Sequence, residues 1–344
     1  PGRGAPASIN FVSCHDGFTL TDLTRYRSKH NEANGENNND GSSVNHSANF
    51  GVEGVTDDPD VIAAREQAAM NMIGMLLLSL GTPMMLAGDE FRNTQDGNNN
   101  AYCQDNDITW LKWDWMYSTN KTREMRRLET VSRLVALRKS LDLYHHEDFF
   151  TRLTQIGLLK PSSRVQWFLP DGTTPMERDW FDLGVRSFTM RLLSNSEVDV
   201  CIVVNGTADD RTFRLPPDTH WTPKWCSAEI NGRRAGHGTQ IEECDLNGDT
   251  TVWTQHVPDA SETVLKMVEE VAMQRTESST ENEADTIKFA MPVTDHAANG
   301  TSSAPRDEVS ADMPDAPVDD TPDTPVDDNV WTMPALSITL MKQV

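Results

Sequence analysis

A histidine and an aspartate stand side by side where a short apolar segment stops. Residues 9–14 are rich in apolar, β-branched and aromatic side chains, His15 and Asp16 follow at once, and Gly17 interrupts the pattern. This pattern predicts a buried strand that ends at two titratable groups. In a barrel of parallel strands, side chains at the carboxyl end of a strand face the substrate, so the pair is a candidate catalytic site. The alternative is a purely structural hydrogen bond.

Two polar loops offer a second kind of chemistry. Residues 29–41 (the first polar loop) and 97–106 (the second polar loop) are crowded with amides, carboxylates and glycines. Such groups can make many hydrogen bonds to a ligand that is rich in hydroxyls. Each loop follows a predicted strand, so we expect both to lie above adjacent strands and to share one site. A long polar loop can also be plain disorder.

Taken together, these segments resemble the glycogen debranching enzymes of the isoamylase-like branch of the α-amylase superfamily, glycoside hydrolase family 13. The resemblance is carried by residues 15–20, 29–36, 81–91 and 97–106. It extends over residues 5–257 and again over the last dozen. The His-Asp pair occurs throughout the superfamily, whereas the motifs in the two polar loops are typical of debranching enzymes.

The resemblance implies roles for the two titratable residues. Asp16 matches the third catalytic carboxylate of the superfamily, which contacts hydroxyls of the sugar ring at the cleavage site and helps to distort it. His15 matches the neighbouring histidine, which hydrogen-bonds the same ring. The nucleophilic aspartate and the acid/base glutamate of the family lie on earlier strands, which have no match here. The implied reaction is retaining hydrolysis of α-1,6 branch linkages in glycogen or limit dextrin, without a cofactor.

Six further residues in the polar loops are weaker candidates for substrate contacts. They are Glu32, Asn34, Glu36, Asn99, Tyr102 and Asp105. These side chains suit a glucan, although they can equally brace their own loops. Asp89 and Glu90 are expected to anchor the end of the second strand rather than to touch sugar. Two residues depart from the resemblance: Cys14 stands where a smaller residue is usual, and Arg92 stands where a glycine is common.

Two β/α units must position these residues. The sequence predicts strands at residues 9–14 and 83–87, with helices at residues 60–80 and 122–141. A closed α/β barrel needs about 250 residues. We therefore expect a barrel fragment, the last two β/α units of a TIM-type barrel, followed by an all-β antiparallel sandwich. Because the chain also begins at Pro1 in a Gly/Pro-rich stretch, we expect it to be the C-terminal portion of a longer enzyme.

Both helices carry local signals. Asp57 or Asp58 can cap the first helix, and Pro59 fits its first turn. The second helix has apolar residues at helical spacing. Its early charged residues are expected at the surface: Arg123, Glu124, Arg126, Arg127 and Glu129.

The composition divides the chain into four segments. Residues 1–147 are predicted to belong to the catalytic barrel, and residues 148–257, with several short alternating segments and turn signals, to the β-sandwich. Residues 258–329 hold eighteen acidic and four basic residues, and they read as a disordered acidic insertion. Residues 330–344 are predicted to be the final strand of the sandwich. Most tryptophans of the sandwich are expected in its core, with a sugar-stacking surface as the alternative.

The net charge of -23 argues against nucleic acid and anionic membrane surfaces as partners. The apolar run at residues 70–80 is too short for a membrane span and predicts a core helix. No plausible zinc ligand set is present in the sequence, and the calcium-like start at residues 245–249 fails at its later positions. Five widely spaced cysteines favour reduced thiols and a cytoplasmic location.

Two rival functions share these features. An α-1,4-glucan hydrolase or a trehalose-releasing hydrolase of the same superfamily would also carry His15 and Asp16. A noncatalytic glucan-binding fragment is the other alternative, because the chain lacks two of the three catalytic carboxylates. The partner in every case is a glucan or a related sugar. The sequence carries no signal for the oligomeric state.

Overall fold

Two helices and an antiparallel sheet build the main hydrophobic core. The structure is a computed structural model that describes residues 5–144, 165–193, 199–217, 220–237, 242–243, 329–335 and 337–343. Several segments lie outside the described residues: residues 251–254, a predicted strand of the sandwich that contains Trp253, the calcium-like stretch at 245–249, and all of the acidic segment 258–329 except Asn329.

The first two strands are short and run parallel. Strand β1 (Ile9–Asn10) pairs with β2 (Thr82–Pro83), so that Ile9 lies opposite Thr82. The prediction of longer strands at 9–14 and 83–87 was wrong, and so was the prediction that the first is buried, since the exposed fractions of Ile9 and Phe11 are 62% and 54%. Within the described residues each of these strands has only the other as a neighbour, and a single parallel pair leaves its outer edges and most of its side chains uncovered.

The short helix α1 (Leu20–Leu23) follows β1. A longer helix then leads to β2, and another follows β2. Helix α2 (Pro59–Leu78) begins where the Asp58 carboxylate accepts hydrogen bonds from the backbone N–H groups of Asp60 and Val61. Helix α3 (Arg123–Ser140) begins where the Thr122 hydroxyl accepts from Met125 N. Side-chain acceptors at these positions satisfy N–H groups that a helix cannot pair internally, so the predicted helices and the cap at Asp58 are confirmed.

Helix α2 has the length and apolar composition that a membrane span needs, but more than half of its apolar part is buried within the protein. Met70, Ile73 and Leu77 are nearly fully buried and belong to the main hydrophobic cluster. Burying three such side chains contributes on the order of 5 kcal/mol or more to folding. These contacts are those of a core helix.

The remaining strands form antiparallel sheets. The larger sheet contains, in spatial order, β3 (Val165–Phe168), β4 (Ser187–Leu192), β5 (Val200–Asn205), β12 (Ser337–Gln343) and β7 (Trp221–Cys226). The smaller sheet contains β6 (Arg211–Arg214), β11 (Val330–Met333) and β9 (Gly236–His237), and a short pair joins β8 (Arg233–Arg234) to β10 (Glu242–Glu243). The predicted antiparallel β architecture is confirmed.

Strand β5 shows why the larger sheet forms a middle layer. Val200 and Ile202 pack into the main cluster with residues of α2 and α3, whereas Cys201 and Val203 pack into a second cluster with the smaller sheet. Successive side chains of a strand point to opposite faces, so this strand buries both of them. The smaller sheet covers one face, and the helices cover the other.

The end of the chain forms two strands instead of the predicted one. The break falls at Pro334, which has no backbone N–H to donate to a sheet. Strand β12 then occupies an interior position between β5 and β7, and Leu340 is fully buried there. Trp221 and Trp225 are buried, as predicted for the sandwich tryptophans, but Trp180 is 54% exposed.

Candidate active site

His15 and Asp16 lie in the loop that follows β1 and face open solvent. Their side chains are 86% and 75% exposed, and His15 Nε2 lies 3.4 Å from Asp16 Oδ2. Within the described residues, neither side chain has another hydrogen-bond or ion-pair partner. The two groups are therefore close to each other and accessible to a ligand.

The backbone around this exposed pair is held by a buried carboxylate. The Ser13 hydroxyl donates a hydrogen bond to Asp89 Oδ2, and Leu20 N donates to Asp89 Oδ1 over 2.9 Å. Asp89 is only 1% exposed, and this burial raises the pKa of its carboxyl to about 6 although both hydrogen bonds oppose the shift. Asp89 is therefore an anchor, but of the loop after β1 rather than of the end of β2 as predicted, whereas Glu90 accepts from Gly88 N after β2.

A second anchor comes from the second polar loop. Gly17 has a φ of +95°, a conformation that glycine adopts easily, and its N–H donates to the carbonyl oxygen of Asn99 over 3.0 Å. Asn99 in turn exchanges two hydrogen bonds with Asn31 of the first polar loop, at 3.0 Å and 2.9 Å. The prediction that the two polar loops lie together is therefore confirmed.

A further cluster of amides joins the same loops around Asp40. Asn34 Nδ2 donates to Asp40 Oδ2 over 2.7 Å, and Asn100 Nδ2 donates to the same oxygen over 2.9 Å. Asn34 Oδ1 accepts from Asn98 and Gln104, each over 2.8 Å. The bond from Asn34 is the largest of the causes that lower the pKa of Asp40, which favours the charged carboxylate at this crossing point.

The weaker site candidates therefore separate into two groups. Asn34 and Asn99 use their side chains to brace the loops, and Asn99 is only 3% exposed. Glu32 and Glu36 are exposed, and so is Tyr102 at 71%. Asp105 is also exposed, and its carboxylate accepts from the indole of Trp110 over 2.9 Å, which orients a half-exposed aromatic ring.

Sequence reasoning missed the residue that closes the base of the first polar loop. The Glu53 carboxylate accepts hydrogen bonds from Arg27 N, Ser28 N and the Asn49 side chain, and it lies 3.2 Å from His30 Nε2. Burial raises the pKa of Glu53, but these bonds together lower it to about 2. No sequence pattern marks this glutamate, because three of its four partners, Arg27 N, Ser28 N and His30, lie more than twenty residues away.

Backbone strain is concentrated around the site. The non-glycine residues with positive φ are Asn37, Asn38, His46, Phe50, Arg92 and Asp96, within the described residues. Asparagine, aspartate and histidine tolerate this conformation, whereas Phe50 and Arg92 are unusual there. Arg92 has a φ of +69° at the position where the resemblance indicated a glycine. A glycine suits this position because glycine adopts positive φ without steric cost.

A buried ion network holds Arg92 in place. Its Nε lies 2.9 Å from Glu66, whose other oxygen accepts from Arg127 over 2.8 Å. The expectation that Arg127 lies at the surface was wrong, since it is 1% exposed and also reaches Thr21 and the Asp89 carbonyl. Burial raises the pKa of Glu66, but the two guanidinium groups outweigh it and keep the pKa below its ordinary value. In the part of the chain that the structure describes, no three histidine, cysteine, aspartate or glutamate side chains gather as metal ligands.

Curated proteins similar to this chain are bacterial proteins of glycogen metabolism. A glycogen operon protein GlgX homolog of Mycobacterium bovis is 45% identical over 190 residues, which cover 54% of this chain and 26% of that protein. A glycogen debranching enzyme of Pectobacterium atrosepticum is 38% identical over 242 residues, which cover 70% of this chain and 34% of that protein. The chain thus spans about a quarter to a third of the length of these relatives, and the predicted resemblance is confirmed.

No family model matches the chain. Among solved structures, a pullulanase of Anoxybacillus sp. LM18-11 complexed with maltotetraose is 17% identical with a TM-score of 0.41. The match covers 70% of this chain and 26% of the pullulanase. A likeness at this TM-score is too weak to support a functional inference.

Proposed function

We propose that this chain, a relative of the bacterial glycogen debranching enzymes, forms part of an enzyme that hydrolyses α-1,6 branch linkages in glycogen or limit dextrin. The proposal is supported by the curated relatives, which include a glycogen debranching enzyme that is 38% identical to the chain over 242 residues. Because these relatives are three to four times longer than the matched region, the nucleophile and the acid/base group are assigned to parts of the protein outside this chain.

The observation that carries the proposal is the combination of a fixed backbone and a free carboxylate at Asp16. Asp89 and Asn99 hold the loop on its two sides through Leu20 N and Gly17 N. The Asp16 carboxylate itself is 75% exposed, and His15 is its one side-chain partner among the residues that the structure describes. A carboxylate that is positioned without being saturated by protein donors can accept hydrogen bonds from sugar hydroxyls.

In the proposed mechanism, Asp16 stabilises the transition state. Retaining glycosidases use two carboxyl groups about 5 Å apart, pass through a covalent glycosyl intermediate, and have an oxocarbenium-like transition state. As the sugar ring flattens, its hydroxyls become better donors, so their bonds to Asp16 strengthen where the barrier is highest. His15 donates a hydrogen bond to the same ring and fixes its orientation, which preserves the geometry that the reaction requires.

The polar loops supply contacts to neighbouring sugars in this proposal. Glu32 and Glu36 offer exposed carboxylates, and Tyr102 and Trp110 offer exposed aromatic rings. Asp105 holds the Trp110 indole by a hydrogen bond, so that ring is oriented before any ligand arrives. Carboxylates that bond hydroxyls and rings that pack against apolar sugar faces suit a glucan chain.

We also propose that β1, α2 and β2 belong to a TIM-type barrel. The parallel pairing of β1 with β2 across α2 is the connection that such a barrel repeats. An apolar depression of about 330 Å³ beside β1 and α2, lined in part by Phe11, Val12 and Met75, supports the presence of a further covering element. A cytoplasmic location is proposed as well, since the cysteines of the described residues are free thiols.

The test compares the wild-type full-length protein with Asp16→Asn on two substrates, branched limit dextrin and linear maltodextrin. We expect hydrolysis of the branched substrate only, and a fall in kcat of about a hundredfold or more in the variant with little change in KM. Asp107→Asn is the matched control, because Asp107 is exposed and lies just outside the second polar loop. Near-normal turnover by Asp16→Asn would contradict the proposed role of Asp16 in the transition state. Hydrolysis of linear maltodextrin alone would contradict the proposed specificity for α-1,6 linkages.

A further inference from the structure

A cavity of about 270 Å³ lies beside the starts of α2 and α3, away from His15 and Asp16. Four arginines line it: Arg25, Arg65, Arg92 and Arg123. The whole chain carries a net charge of -23, so a concentration of cations in one cavity runs against its general composition. The volume lies just below the usual range of ligand pockets, about 300–1,000 Å³, which restricts the site to a small ligand.

Two of the four arginines are already satisfied by the protein. Arg65 is 4% exposed and donates to three backbone carbonyls, among them those of Gly54 at 2.6 Å and Asn49 at 2.9 Å. Arg92 lies 2.9 Å from Glu66 and 3.5 Å from Glu124. These two guanidinium groups form the fixed wall of the cavity.

The other two arginines lack such partners. Within the described residues, the side chains of Arg25 and Arg123 make no hydrogen bond and no ion pair. The carboxylates of the cavity make their direct contacts elsewhere: Glu66 is bound by Arg92 and Arg127, Glu124 lies nearest to Arg92, and Asp57 is exposed. The positive charge of Arg25 helps to lower the pKa of Glu66, but without a hydrogen bond or ion pair between the two side chains.

Repulsion between cations is built into this arrangement. Burial lowers the pKa of Arg65, and the positive charge of Arg25 lowers it further. Burial also lowers the pKa of Arg92 to about 10, and Arg25 again adds to the shift. Arg25 is a partly buried guanidinium that repels two neighbouring cations and, within the described residues, has no hydrogen-bond acceptor of its own, so an anion could bind its free N–H groups.

The surroundings suit a phosphate group. Guanidinium groups bind phosphate oxygens through paired, parallel N–H bonds, and a phosphate monoester carries nearly two negative charges at neutral pH, which matches two unpaired arginines. Thr56 also lines the cavity, and its hydroxyl oxygen accepts from Asp58 N, which leaves its proton for an anion.

We propose that this cavity binds the phosphate group of a small phosphate monoester or inorganic phosphate, through the side chains of Arg25 and Arg123. This site lies on α1, α2 and α3 and does not depend on the proposed hydrolysis of glucans. Binding would connect the residues that follow the His15–Asp16 loop with the Arg92 turn, since Arg25 and Arg92 line the same space.

The experiment measures thermal unfolding of the full-length protein at constant ionic strength, with inorganic phosphate, glucose 6-phosphate, glucose or chloride as the probe. We expect a saturable rise in Tm with the two phosphate compounds and none with glucose or chloride, because a ligand that binds only the folded state stabilises it. Arg25→Gln should weaken phosphate binding about tenfold or more, as expected for the loss of a charge-assisted bond. Arg27→Gln is the matched control, since it removes the same charge from an exposed residue that does not line the cavity.

The relative affinities for glucose 6-phosphate and inorganic phosphate show which of the two kinds of ligand the cavity prefers. Tighter binding of glucose 6-phosphate than of inorganic phosphate would assign the site to a sugar phosphate, and equal binding would assign it to free phosphate. The Tm of Arg25→Gln without ligand shows whether this variant folds, since it loses both the repulsion from Arg65 and Arg92 and the attraction to Glu66 and Asp22. If it fails to fold, Arg123→Gln tests the same prediction from an exposed position. Absence of a saturable response, the same response to chloride, or undiminished binding in both variants would overturn the proposal.

Discussion

The backbone N–H of Gly17 donates to the carbonyl oxygen of Asn99 over 3.0 Å, and this bond joins the loop that carries Asp16 to the second polar loop. Asp16 is too exposed to be positioned by its own contacts. Its placement depends instead on neighbours that are buried, above all Asn99 and Asp89. A site with accessible catalytic groups and buried supports can bind a ligand without first losing its geometry.

The Asn31–Asn99 contact should be the most sensitive part of this support. Asn31→Ala removes two hydrogen bonds with Asn99 and one with the Asp40 carbonyl, in a place where Asn31 is fully buried. Unpaired buried polar groups cost about 1–3 kcal/mol each, so we expect a loss of that order in the free energy of unfolding. Chemical denaturation measures the loss, and faster hydrogen exchange at Gly17 N should accompany it.

Asn39→Ala is the control for that substitution. Asn39 lies in the same loop but is exposed, and its side chain donates only to the Glu36 carbonyl. We expect a change within about 0.5 kcal/mol. Equal losses in Asn31→Ala and Asn39→Ala would mean that the buried contact with Asn99 is not what holds the loops.

Substitution of Gly41 by alanine tests the packing of the same two asparagines, because it adds a methyl group beside them. A Cβ at Gly41 would lie 2.4 Å from Asn99 Oδ1 and 2.7 Å from Asn31 Nδ2, and the residue has a φ of +70°. Gly35 has a similar φ of +79° with nothing within 4 Å of the added atom. We expect Gly35→Ala to cost about 1–2 kcal/mol from backbone strain alone, and Gly41→Ala to cost clearly more. Equal costs, measured by denaturation, would show that the asparagine pair moves aside freely.

Asp89 should make stability depend on pH between about 4 and 6. Burial raises the pKa of its folded-state carboxyl to about 6 from an ordinary value of 3.8, so the folded protein binds this proton more tightly than the unfolded chain. Its contribution to stability is complete below pH 4 and is lost as the pH rises through 6. In Asp89→Asn an uncharged amide keeps the bond from Leu20 N. The unfolding free energy of the variant, relative to that of wild type, should therefore rise by on the order of 3 kcal/mol as the pH increases from 4 to 7.

Glu53→Gln provides a control of opposite sign. The folded-state pKa of Glu53 is lowered to about 2 from 4.5, so its contribution is present above pH 4.5 and is lost as the pH falls toward 2. Wild type should lose stability relative to Glu53→Gln over that lower range. Denaturation curves collected from pH 2 to pH 8 separate the two effects. If the difference in unfolding free energy between wild type and Asp89→Asn does not change with pH, Asp89 is not the source of the pH dependence.

The buried network around Glu66 should respond strongly to the loss of one partner. Arg127→Met removes two hydrogen bonds to Glu66, which is 6% exposed, and leaves its charge with Arg92 alone. Breaking a buried pair in this way costs about 3–5 kcal/mol. Lys121→Met is the matched control, because Lys121 and Glu129 form a pair at 2.6 Å that is about one-third exposed and should contribute about 1 kcal/mol or less. Similar losses of unfolding free energy in the two variants would refute this ranking.

Local patterns in the sequence determined a large part of this protein. Helices α2 and α3 begin at Asp58 and Thr122 because a capping side chain and the spacing of apolar residues act within one or two turns. Short alternating segments predicted antiparallel strands for the same reason. The motifs in the two polar loops indicated the family, and they correctly indicated that the loops meet.

Only the tertiary structure decided what each polar residue does. Asn31 and Asn99 are 68 residues apart, and Arg127 and Glu66 are 61 apart. No local pattern distinguishes Asn99, which braces the loops, from an asparagine that contacts sugar. None distinguishes the buried Arg127 from its exposed neighbours on α3 either. Burial and hydrogen-bond partners depend on which distant segments the fold brings together, whereas capping and periodicity depend only on residues that are adjacent in the chain.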